Sequence, residues 1–171
     1  AQGQQSPAAK RVVVLYWYNK DFPGNVLFDG SFKDVLRSAG MANLEYYPEY
    51  LESNRFPGEA QEKILRDYLQ QKYADRPVDV VVAVTDQAMD FLLKYRKELF
   101  SSSPLVFIGI KKPTPELLMA GPGITGILPA TTHKQTVDLA LSLHPDTQQL
   151  FFISGTLERD KRFDTIARQE L

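Results

Sequence analysis

The chain has 171 residues, enough for one well-packed core or for one domain and part of another. Hydrophobic residues make up 43%, charged residues 24%, and the formal charge is -1, so neither a nucleic-acid surface nor a membrane surface is indicated. No apolar run approaches the ~18 residues needed to cross a bilayer. Cysteine is absent, which excludes disulfides and thiol chemistry without fixing the compartment.

Residues 1–10 are small and polar and predict a disordered segment. They lack an initiator Met and an apolar core, so they are not an intact signal peptide. They fit the mature end left by signal cleavage as well as an arbitrary boundary. Arg11 then leads into Val12, Val13, Val14 and Leu15, a run without alternation. That pattern predicts a strand covered on both faces, as in a parallel sheet clad with helices. The run breaks into Tyr16-Trp17-Tyr18-Asn19 and a loop closed by Pro23-Gly24. Asn25 can cap a helix with Phe28, Phe32, Val35, Leu36 and Ala39 on one face, and Gly40 suits its left-handed stop.

Residues 44–47 predict a short strand ending at Pro48. Pro57-Gly58 opens a second helix with Ile64, Leu65, Tyr68, Leu69 and Tyr73 on its buried face. Residues 78–84 predict the second strong strand. Thr85 or Asp86 caps the next helix, whose core face is Ala88, Phe91, Leu92, Tyr95 and Leu99. A buried strand over 105–110 follows, then a Pro-rich loop to Gly123 and a short strand over 124–128. Thr132 with Gln135 forms a capping box for a helix that ends before Pro145. Residues 150–154 predict a last strand, and 158–171 a final helix through Phe163, Ile166 and Ala167.

Strands alternating with helices imply right-handed crossovers and an α/β fold with a doubly wound parallel sheet, expected in the order 2-1-3-4-5. Residues 11–128 supply five strands and form the first lobe. Residues 132–171 supply a single strand, which cannot make a domain. Either that strand adds to the first sheet, or 129–171 is a hinge and the beginning of a second, incomplete lobe. Pro129, Thr131 and Thr132 mark a break where a hinge would be needed, and the second arrangement is the one expected. It would leave apolar faces for a partner molecule or further chain to cover.

Gly121-Pro122-Gly123-Ile124-Thr125-Gly126 fits the dinucleotide pattern literally, but it enters a strand instead of opening a helix. A receiver would need acidic residues after the first strand, where Tyr16, Trp17 and Tyr18 stand. A flavodoxin would need a hydroxyl-rich phosphate loop there. His133 and His144 have no spaced partner and read as surface or helix-end residues, not metal ligands. Ser154-Gly155 lacks the nucleophile elbow of a hydrolase.

What remains is a set of groups at strand ends, where parallel sheets bind ligands. Tyr16, Tyr18 and Asn19 follow the first strand, Thr85, Asp86 and Gln87 the central one, and Gly109 and Ile110 the next. Rings offer stacking surface, and a helix amino end with Thr85 offers hydrogen-bond donors. The bland alternatives are a core position for Tyr16, a solvated loop for Tyr18 and Asn19, and a plain helix cap for Asp86. Tyr46, Tyr47 and Tyr50 read as edge packing.

The segment 14–25 resembles the opening of the ABC-transporter substrate-binding-protein-like sensor regions of bacterial histidine kinases. Glu45-Tyr46-Tyr47-Pro48-Glu49-Tyr50-Leu51, Arg55-Phe56-Pro57-Gly58-Glu59, the run 79–86, residues 104–109 and Gly123-Ile124-Thr125-Gly126 continue the resemblance in order. It implies a type I periplasmic-binding-protein fold, two lobes hinged about a ligand cleft, and a periplasmic or extracytoplasmic location after removal of a signal peptide. It also implies a sensor of a small organic ligand, with no enzymatic activity in this domain, no cofactor, no nucleic acid and no membrane insertion of this segment. A free solute-binding protein of an ABC transporter is the first alternative, and a flavodoxin-like enzyme domain the second.

Overall fold

Val13, Val14 and Leu15 are fully buried, and Val12 nearly so, because the strand they form has a neighbour on each side and helices on each face. In the computed structural model of the protein, the described residues are 9–41, 43–109, 123–128, 132–156 and 158–171. The first strand, β1, is Lys10–Tyr16. It is followed by α1 (Pro23–Ser38), β2 (Leu44–Tyr50), α2 (Glu59–Tyr73), β3 (Val80–Val84), α3 (Asp86–Leu99), β4 (Leu105–Ile108) and β5 (Ile124–Ile127). The five strands form one sheet in the order β2-β1-β3-β4-β5, and all four pairings are parallel. The expected doubly wound α/β architecture is the observed one.

Side chains alternate between two cores. Val13, Leu15, Val81, Ala83 and Leu105 join Leu69, Tyr73, Ala88, Met89, Phe91, Leu92 and Tyr95 of α2 and α3. On the opposite face Val12, Val14, Tyr16, Val82 and Val84 meet Phe28 and Phe32 of α1. Beside α1 that face opens into a cavity of about 650 Å³, walled by Val12, Phe32, Leu36, Val80, Val106 and Ile108 among others.

Two local expectations need correction. Asn25 is not the cap of α1, which begins at Pro23, where a proline's fixed φ and missing N–H suit the first helical position. Val35, Ile64 and Tyr68 are exposed; α2 buries the narrower stripe of Leu65, Leu69 and Tyr73, since one sheet face accepts only one ridge of the helix. Gly40 does end the α1 region at φ +70.

By its internal contacts the chain divides into Ala1–Pro129 and Ala130–Leu171. The second unit contains α4 (His133–Leu143) and α5 (Glu158–Glu170). Thr132 Oγ1 accepts from the Gln135 N–H at 3.3 Å, as the capping box predicts. Glu170 accepts from the His133 backbone N–H at 2.6 Å, which holds its carboxyl below the ordinary value. His133 and His144 stand at the two ends of α4, and no metal-binding cluster occurs among the described residues. The strand expected over 150–154 does not form: this stretch has no ladder partner among the described residues, and a strand without one leaves its backbone groups unsatisfied.

Candidate functional site

Parallel pairing in register brings four strand ends level. Tyr16 lies opposite Tyr50 and Val84, Val84 opposite Ile108, and Ile108 opposite Ile127. Ladder bonds continue one step beyond: Leu51 N–H donates to the Tyr16 carbonyl at 2.8 Å, Thr85 N–H to Ile108 at 2.8 Å, and Gly109 N–H to Ile127 at 3.3 Å. Trp17, Leu51, Thr85 and Gly109 therefore form one row along the carboxyl edge. The strand order reverses between β1 and β3, so the loop after β1 and the start of α3 flank the switch point.

Thr85 is the most unusual residue in that row. Its backbone sits at φ 83, ψ 165, a region that is nearly glycine's alone and costs an L-residue about 1–3 kcal/mol. It precedes α3 but makes no side-chain cap bond, and its Oγ1 is buried with no hydrogen-bond partner among the described residues. Asp86 and Gln87 occupy the first two helical positions, half-buried, at the positive end of the helix dipole. Gly109 follows β4 at φ +77, a conformation that strains any side chain. Ile110 lies outside the described residues.

The loop after β1 is held from behind. Asn25, 5% exposed, donates its amide to the carbonyls of Tyr18 at 3.1 Å and Asn19 at 2.9 Å. The Tyr18 ring stacks on Phe22 at 4.3 Å between centroids. Tyr18 is itself buried, at 8% exposure, so the loop aromatics that solvent reaches are half-buried Trp17 and Phe22 and exposed Phe56, with half-buried Tyr50 at the end of β2.

Tyr16 lies beneath the edge, not in it. Its ring is fully buried, stacked on Tyr50 at 5.2 Å, and its hydroxyl is bonded to Tyr46 at 2.8 Å and Asp29 at 3.3 Å. Burial, first of all, pushes its phenol up. The core alternative for Tyr16 is therefore the observed one, because the last residue of β1 still has sheet on both sides. Tyr46 and Tyr50 pack at the β2 edge as expected. The phenol of Tyr50 is raised, first by burial and then by the charges of Asp29 and Asp21. Sequence reasoning missed Phe22 and the bracket made by Asn25. The missed signal was a polar residue two positions inside a helix that begins with Pro.

No protein-family model and no curated protein matches the chain. Among solved structures, a conserved domain protein from Vibrio cholerae is similar over 95% of this chain and 53% of its own, at 18% identity and a TM-score of 0.67. The ABC domain from Streptococcus pneumoniae in complex with L-Trp is similar over 94% of this chain and 53% of its own, at 18% identity and a TM-score of 0.57. The chain spans about half the length of each, and at this identity the likeness establishes the α/β fold.

Proposed function

We propose that this chain is a small-ligand-binding module whose site is the carboxyl edge at the switch point, between Tyr18-Asn19, Thr85-Asp86-Gln87 and Gly109. The observation that carries the proposal is Thr85, a β-branched residue in a glycine conformation whose buried hydroxyl has no partner among the described residues. Strain of that kind persists where the surrounding structure imposes it, and it clusters at ligand clamps. The N–H groups that open α3 suit a carboxylate, the Asp86 side chain suits an ammonium, and the nearby rings suit an apolar side chain. An amino acid combines all three, and L-Trp, the ligand of one structural neighbour, is the natural first probe.

In this reading the module belongs to a periplasmic or extracytoplasmic sensor of a histidine kinase. Ala130–Leu171, a separate unit by its internal contacts, is in this reading the beginning of a second lobe. The same geometry would serve a free solute-binding protein of a transporter, and the domain content of the parent polypeptide decides between the two. Calorimetry with L-Trp and a panel of amino acids tests the site. Thr85→Val, which keeps the shape and removes the hydroxyl, should weaken binding about tenfold. Binding that is unchanged in Thr85→Val would place the ligand elsewhere.

A further inference from the structure

Three polar or charged side chains are buried among the described residues, Asn25, Glu49 and Ser103, and two of them serve the scaffold. Glu49 pairs with Lys72 at 2.6 Å and Tyr73, tying β2 to α2; Ser103 donates to the Val78 carbonyl at 2.6 Å, tying the turn before β4 to the approach to β3. Asn25 is different, because both its bonds go to the irregular loop after β1. A side-chain amide has two N–H donors, and here they meet two successive carbonyls, Tyr18 and Asn19. The Asn19 carbonyl also accepts from the Phe22 N–H at 3.2 Å, closing the loop as a turn. Gly24 completes the bracket: a Cβ there would lie 2.9 Å from the Phe22 ring, which is itself stacked on Tyr18.

We infer that Asn25 is the positioning residue of this site, holding the loop 17–22 in its ligand-ready shape before any ligand arrives. The inference rests on the ligand-binding reading above. A loop fixed in advance need not be ordered on binding, so the affinity lost without the bracket is the cost of ordering it. Asn25 itself reaches the loop backbone from behind and has no need to touch the ligand.

The test uses Asn25→Asp, which keeps the shape but replaces both donors with an acceptor, and Asn25→Ser in case the first does not fold. Val81→Ala, a core change remote from the loop, serves as a stability control. Trp17 is the single tryptophan of the chain and lies in the loop, so acrylamide quenching of its fluorescence reports loop opening in the ligand-free protein. Amide exchange over 17–22 should accelerate about tenfold in the Asn25 variants and Trp17 should become more quenchable, with neither change in Val81→Ala. Affinity for L-Trp should fall about tenfold in the Asn25 variants and stay near wild type in the control. Loop exchange that rises no more than in the control overturns the inference. If the wild-type protein binds no amino acid of the panel, the ligand reading fails by itself, and the loop measurements still decide the role of Asn25.

Discussion

At the scale of single residues, Thr85 sets two demands against each other. Replacing it with Gly relieves a strain of about 1–3 kcal/mol and adds about 0.5–1 kcal/mol of unfolded-chain entropy, so the net should be a gain of about 1 kcal/mol in stability. Urea unfolding measures that gain, and a loss of stability in Thr85→Gly would show that the backbone is not strained. The same variant should bind ligand more weakly, since the hydroxyl goes with the side chain. Thr85 could be singled out in the sequence by its place after a strong strand, but its φ could not, because nothing in a Thr-Asp pair announces a glycine conformation. Asn25 was legible only as a helix cap. Its true partners lie upstream, and finding them requires knowing that Pro23 has already started the helix. Tyr16 was ambiguous for a simpler reason: the last residue of a buried strand and the first of a ligand loop look alike in a run such as Leu15-Tyr16-Trp17.

At the scale of elements, the two helices whose faces were read too broadly give a clean test. Leu69 is 1% exposed and Ile64 61%, although both fit a helical apolar stripe. Leu69→Ala should therefore cost about 2–5 kcal/mol and Ile64→Ala no more than about 0.5 kcal/mol, as read from denaturant midpoints. β1, β2 and α1 are joined by a polar knot in which Tyr46 and Tyr16 donate to Asp29, which also pairs with Lys33 at 2.6 Å. Burial works against the Asp29 carboxylate, but the bonds from Lys33 and Tyr46 outweigh it and hold its pKa below the ordinary value. The phenols of Tyr16 and Tyr46 are raised, in both cases by burial before any neighbour. A lowered acid contributes stability above its unfolded value near pH 4, lost as pH falls through the folded value. Raised phenols contribute stability below about pH 10, lost as pH climbs and the unfolded chain ionises first. Stability should be flat between about pH 5 and 9 and decline on both sides, and Tyr46→Phe should shrink the alkaline decline. A stretch such as 150–154 shows where element reading stops, since a strand is a property of a pair and its partner is not written in the strand itself.

At the scale of the whole molecule, the strand order was legible because unbroken apolar runs demand cover on both faces, and only central positions provide it. The run 11–15 and the run 80–84 lie side by side at the centre, where that argument puts them. What the pattern could not reveal is how unequally the two faces are dressed. Among the described helices of Ala1–Pro129, α2 and α3 pack on one face and α1 alone on the other.

That unequal dressing has a calorimetric signature. Val80, Val106 and Ile108 line the cavity beside α1 and are only half-buried in the folded state. Water already in contact with them when the chain is folded contributes nothing new when it unfolds. The heat-capacity increment of unfolding should therefore lie toward the lower end of the usual ~12–15 cal/mol/K per residue. Scanning calorimetry at several pH values yields the increment directly. A value at the upper end would mean that in solution those valines and Ile108 are already dry.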